Sequence, residues 1–225
     1  KLISIVMLLL MTSWSYANDI YVTQSGASLD LDITQDGQNN TVGNSTTSSA
    51  SAGASTTLNI DQIGNSNVIT YQINGATYTG VINLVGNSNN VDLNCDSTGN
   101  NSSCGTANAV INFTGNSNDI DLDIGQTSSA NTADVDIVGQ SGSDSNVVAA
   151  TVDGNSAILT ITINGDTNNY LIDIDGNGDV NGHTLIHSHT GGTADVDIVQ
   201  SGINDQYINL TTSGDNHDID IQQTD

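Results

Sequence analysis

Leu159-Thr160-Ile161-Thr162-Ile163-Asn164-Gly165-Asp166-Thr167-Asn168 decides how this chain is read. Apolar and polar residues alternate with period two up to a glycine, and a run of small polar residues follows. Alternation over about six residues describes a strand with one buried face. Gly reaches positive φ without a steric penalty, and Asn and Asp bond their own backbone, so the polar run describes a tight turn. Eleven residues after Gly165 the pattern closes again, as Tyr170, Ile172 and Ile174 lead to Gly176.

The same beat spreads outward. Gly26 and Gly37, Gly64, Gly75 and Gly86, and Gly154 and Gly165 are spaced by eleven, while Gly142 to Gly154 and Gly202 to Gly214 are spaced by twelve. Asn67, Asn89, Asn118 and Asn168 each stand three places after Gly64, Gly86, Gly115 and Gly165. Two strand-turn units make a rung whose strands face each other across a thin core, and stacked rungs pair in parallel. About sixteen such segments between Asp19 and Gln223 predict about eight rungs and a rod on the order of 40 Å. The fold class expected is an all-β, parallel two-sheet β-solenoid; an antiparallel meander or jelly roll is the alternative, and such folds seldom hold an eleven-residue beat. Four stretches break the rhythm, residues 43–57, 96–107, 126–132 and 176–183, and the strand count places all four on one edge of the rod.

Composition bounds the function. The chain has 225 residues, 25 acidic side chains, all Asp, one Lys, no Arg and a formal net charge of −24. Without basic side chains it cannot neutralise a phosphate backbone, which excludes nucleic-acid partners, phosphate clamps and Schiff-base chemistry. Residues 1–17, with Lys1, the apolar run Leu2 to Met11 and Ser15-Tyr16-Ala17, read as a secretory signal too short to span a bilayer. Residues 18–225 then form a single repeat domain, exported, with no membrane insertion.

Some repeats carry Gln two places before the glycine: Gln24 before Gly26, Gln35 before Gly37, Gln62 before Gly64, Gln140 before Gly142 and Gln200 before Gly202. Gln35 to Asn40 and Gln62 to Asn67 show the full Gln-x-Gly-x-x-Asn string. This resembles the curlin repeat, the unit of curli-type bacterial amyloid fibres. The resemblance implies a rung of just over twenty residues, a fibre-forming subunit whose partner is itself, a nucleating subunit and secretion machinery as further partners, and an extracellular, cell-surface location. The units here are degenerate, most having Ile, Leu, Val or Phe113 in place of Gln. Independently of the resemblance, inward Gln stacked rung on rung can form amide ladders.

Each candidate chemical site in the chain also has a plainer reading. Asp173, Asp175, Asn177, Asp179 and Asn181 follow a calcium-loop spacing, with Gly178 at the sixth place, but Thr184 stands where a bidentate Glu is expected and a strand leads in. An Asp/Asn/Gly turn competes with that site; calcium is the one candidate ligand, and no cofactor is required. Outward Asp pairs such as Asp134/Asp136 and Asp218/Asp220 recur along the chain, which favours solvated faces over a catalytic pair. His183, His187 and His189 resemble transition-metal ligands in type, yet read better as an exposed incidental cluster. Cys95 and Cys104 lie close together in an exported chain and are expected to form a local disulfide.

The expected function is structural: a secreted, non-enzymatic subunit that assembles end to end into an extracellular amyloid-like fibre for biofilm matrix, surface adhesion and cell aggregation. The alternative is a monomeric calcium- or surface-binding solenoid of adhesin or ice-binding type. Rows of like charge along the rod further predict that divalent cations, salt or mild acid speed assembly.

Overall fold

The computed structural model describes residues 19–37, 40–43, 49–64, 66–95, 104–125, 132–140, 142–154, 156–176, 183–202 and 206–224. The strands in order are β1 (Asp19–Ile20), β2 (Thr23–Ser25), β3 (Ser28–Asp36), β4 (Thr41–Val42), β5 (Ser49–Ile63), β6 (Val68–Val85), β7 (Asn90–Cys95), β8 (Thr106–Thr114) and β9 (Asp119–Ile124). They continue with β10 (Thr132–Gly139), β11 (Val147–Gly154), β12 (Ser156–Asn164), β13 (Asn168–Gly176), β14 (Thr184–Thr190), β15 (Ala194–Ser201), β16 (Tyr207–Ser213) and β17 (His217–Thr224). No helix occurs among the described residues, and so none there is long and apolar enough to cross a membrane.

Each strand between the two end rungs pairs in parallel with the strand one rung before and the strand one rung after, and those of the end rungs pair on one side. One sheet stacks β3, the second parts of β5 and β6, then β8, β10, β12, β14 and β16. The other stacks β1 with β2, β4 with the first part of β5, the first part of β6, then β7, β9, β11, β13, β15 and β17. The fold is the expected parallel two-sheet β-solenoid. The glycines alternate between its two corners. Gly64, Gly86, Gly115 and Gly165 open the turns from the first sheet to the second. Gly75, Gly154 and Gly176 lie where the second sheet turns back, and β6 runs through that bend with Gly53 opposite Gly75.

Because rungs are in register, the core is built of columns. Ile33, Ile60, Ile82, Ile111, Ile137 and Ile161 occupy one column of the first sheet, all buried. Where a column narrows to glycine, a neighbouring ring takes the space, as Tyr78 of the same strand does beside Gly80. Phe113 stands beside Gly139, where an added Cβ would lie 2.7 Å from the Phe113 ring. A neighbouring large ring thus fills the space that the glycine leaves.

The insertions are partly relocated. Residues 96–103, 126–131 and 177–182 lie outside the described residues, but each connects the second sheet to the first (β7 to β8, β9 to β10, β13 to β14), which is one corner. The first break is shorter than the composition indicated. Residues 49–57 belong to β5, and the interruption falls between Val42, opposite Ile69, and Ser49, opposite Tyr71, inside a rung of the second sheet. Small Ser, Thr and Ala side chains read as linker by composition, yet the pairing partner in β6 holds them as strand.

Candidate functional site: inner ladders and the two ends of the rod

The turn glycines place an asparagine at the inner corner of each rung, and these asparagines bond one another. The backbone N–H of Asn40 donates to Asn67 Oδ1 at 3.2 Å, that of Asn67 to Asn89 Oδ1 at 3.1 Å, and that of Asn89 to Asn118 Oδ1 at 3.0 Å. The ladder continues from Asn118 N–H to Asn146 Oδ1 at 2.8 Å and from Asn146 N–H to Asn168 Oδ1 at 2.9 Å. Each amide also folds back on its own turn: Asn118 Nδ2 donates to the Gly115 carbonyl at 2.8 Å, and Asn168 Nδ2 to that of Gly165 at 3.0 Å. All six are buried. A second, exposed ladder runs two residues earlier in the turn, where Asn116 N–H donates to Asn87 Oδ1 at 2.8 Å and Asp144 N–H to Asn116 Oδ1 at 3.0 Å.

The left-handed residue of these turns is not Asn but the Ser or Thr before it: Ser66, Ser88, Ser117, Ser145 and Thr167 all have φ between 57° and 63°. Asn146 escaped the sequence reading because Ser143 occupies the glycine place. The Asn146 amide donates to the Ser143 carbonyl, and Gly142 sits one residue ahead of the register, with open space where a Cβ would go. The Ser143-Asp144-Ser145-Asn146 string itself was the available signal.

The glutamines divide. Gln35, Gln62 and Gln200 are buried. Gln62 Nε2 donates to Gln35 Oε1 at 2.6 Å in the first sheet, and Gln223 Nε2 to Gln200 Oε1 at 3.0 Å in the second. Two positions correct the expectation of inward stacking. Gln140 is exposed, because the inward place in its strand is Gly139 and the Phe113 ring fills it. Gln24 belongs to the second sheet, opposite Ser51, so it does not stack on Gln35; its amide reaches the Ser28 carbonyl at 3.2 Å.

The histidines also differ from expectation. They are not an exposed cluster: His183, His187 and His189 are all buried. His187 continues the isoleucine column beside Ile161, its ring edge-on to Tyr170 at 4.4 Å between centroids. Tyr170 Oη and His189 Nδ1 are 2.8 Å apart, and His217 packs against His189 at 5.3 Å. Neither nitrogen of His187 meets a hydrogen-bond partner among the described residues. Burial, then the neighbouring His189, holds its pKa down at about 4. Burial likewise lowers His183 and His189.

Cys95, at the end of β7, and Cys104, just before β8, are joined by a disulfide, and both are buried. Of the calcium-loop candidates, Asp173 and Asp175 lie on the outward side of β13, while Asn177, Asp179 and Asn181 lie outside the described residues. Ser201 Oγ donates to Asp175, and Asp153 stands opposite Asp175 in register. Burial, then Asp175, Asp173 and Asp123, push the Asp153 carboxyl up to about 7. Among the described residues, no group of three or more His, Cys or Asp side chains is placed to hold a metal.

Both ends of the rod expose the columns that run through it. At one end β17 shows Ile219 and Ile221, 37% and 48% exposed, and Ile208 of β16 is only partly buried. At the other, Ile20, Leu29 and Leu31 are only partly buried against the core. Following the register through the molecule, Ile20 and Ile219 occupy the same column, as do Leu31 and Ile208, and Ile33 and Leu210. The column that ends in the Gln200–Gln223 pair begins at Gln24. No family model, curated protein or solved structure matches the chain.

Proposed function

We propose that this chain is a structural subunit that polymerises end to end, β17 and β16 of one copy pairing in parallel with β1–β2 and β3 of the next, to form an extracellular amyloid-like fibre of the kind used in biofilm matrix, adhesion and cell aggregation. The observation that carries the reading is the match of the two ends. In the register of the rod, Ile219 stacks under Ile20, Ile221 under Val22 and Gln223 under Gln24 of the next copy, so a junction reproduces an internal rung step. Sheet edges of this kind are normally blunted by Pro, inward charge or a covering element. Here the terminal columns are Ile, Leu, Val and Gln, with Thr212 at the far end of the column that begins at Gln35, and strand addition supplies backbone bonds along with side-chain burial.

The test is to purify the chain with and without residues 1–17 and follow it by size exclusion and electron microscopy, with and without Ca²⁺. Filaments whose diffraction shows a repeat of about 4.8 Å along the axis are expected. Monomers that persist under every condition would overturn the reading.

A further inference from the structure

The outward side of the first sheet has two stretches without charge, the second part of β6 with β8, and then β12, β14 and β16; between them β10 carries Asp134 and Asp136, and the second stretch is the longer. On the first sheet, the outward sides of β12, β14 and β16 carry no charged side chain, and Ile158, Ile186 and Tyr207 stand out from them, 42%, 37% and 54% exposed. The back of the same rungs is the reverse: β13, β15 and β17 carry Asp173, Asp175, Asp195, Asp197, Asp218 and Asp220. We propose that the neutral face is a lateral docking surface for a second copy of this chain, packed sheet on sheet, so that fibres of the kind proposed above pair side by side; this rests on that fibre reading.

Charge selects the occupant. A basic partner is drawn to the acidic back, not to a face that offers it no counter-charge. A second copy, with a net charge of −24, meets repulsion wherever its carboxylates approach those of the first. Pairing neutral face to neutral face puts both acidic backs on the outside of the pair, at the largest separation available, with the facing sheets about 10 Å apart. The three strands cover roughly 350 Å² per copy, from about 25 Å of strand and a 4.8 Å spacing. A stable dimer buries about 800 Å² on each partner. Single subunits therefore do not pair through this face. Once they are stacked end to end, the patch recurs with every subunit, and the weak contacts act together.

The columns themselves offer a gentle way to test this. Asp134 of β10 lies in register with Ile158, and Asp136 with Thr160, which is next to Ile186, so Asp is already accommodated in both columns. The experiment compares filaments of the wild type, of I158D/I186D and of L171D by electron microscopy and sedimentation. Leu171 is 47% exposed on the acidic back, and L171D adds the charge there. Wild-type and L171D filaments are expected to bundle, and I158D/I186D filaments to elongate at the wild-type rate but stay single. T160D provides the same reading should the double variant not fold. Bundling of I158D/I186D to the wild-type extent overturns the proposal. Wild-type filaments that remain single overturn it while leaving the fibre reading intact, whereas a wild type that forms no filaments overturns both.

Discussion

His187 is the residue that departs furthest from its surroundings: an imidazole in a column of isoleucines, fully buried, with Tyr170 edge-on to it and His189 acting on it, while His217 packs on His189 and Asp166 acts on His189. An unfolded imidazole titrates near 6.5, whereas the folded His187 stays neutral down to about 4. Between those values the unfolded chain binds the proton and the folded chain does not, so stability falls as pH falls. Its contribution is complete above about 6.5 and is lost progressively toward about 4, at no more than about 1.4 kcal/mol per pH unit. Asp153 works in the opposite sense. Its carboxyl is raised to about 7, so the folded chain takes up that proton first, and acid relieves the repulsion with Asp175. His187→Leu restores an aliphatic column. Asp153 acts alike in both proteins, so in urea midpoints measured from pH 8 to pH 4 the variant should gain on the wild type as the pH falls below 6.5. Parallel curves would show that the buried imidazole is not the acid-sensitive group.

At the scale of elements, the corner turn is the unit whose chemistry is most exposed to a single change. Asn118 Oδ1 accepts from the Asn89 N–H, and its amide holds the Gly115 carbonyl and Asn146 Oδ1. Asn118→Ala leaves the buried Asn89 N–H and the part-buried Gly115 carbonyl without their side-chain partner, which costs roughly 1–3 kcal/mol. Asn116→Ala removes an equivalent ladder bond from the exposed row, where water substitutes, and should cost less than about 1 kcal/mol. Equal losses in chemical denaturation would mean that the inner ladder is not energetically distinct. The same turns show what the sequence could convey. Leu159, Ile161 and Ile163 announced their strand because a period of two has one physical cause, and Gly165 announced its turn for the same reason. Asn146 stayed hidden because Ser143 does the work of glycine without looking like it. Gln140 misled, since its inward place had been taken by a ring from the rung before, which is a relation between rungs that no single repeat displays. His187 and His189 misled for the converse reason: polar residues in alternation read as outward until the strand's phase is set by Leu185.

At the scale of the whole molecule, the two ends are different surfaces whose columns coincide, so the growth proposed above would be head to tail, with each end open to being blocked alone. In a parallel strand, successive residues turn their amides to opposite sides. The Thr224 carbonyl accepts from the Gly202 N–H, so Gln222 faces β15 and Ile221 faces away from the rod. At the other end the Ile20 carbonyl accepts from the Gly43 N–H, so Tyr21 and Thr23 face away. Proline on an edge strand, with its missing N–H pointing outward, leaves the internal ladder intact. Ile221→Pro therefore blocks the β17 end, and Thr23→Pro blocks the β1–β2 end. Each variant alone is expected to remain monomeric, while a 1:1 mixture forms heterodimers and nothing larger, because one sound β17 end meets one sound β1–β2 end and both outer ends are blocked. Added to growing wild-type fibres, Ile221→Pro should arrest elongation at one end at substoichiometric amounts, and Thr23→Pro at the other. Light scattering with end-labelled seeds reads this polarity directly. Fibres that grow from either variant alone, or a mixture that stays monomeric, would rule out the head-to-tail junction and with it the reason the columns of the two ends coincide.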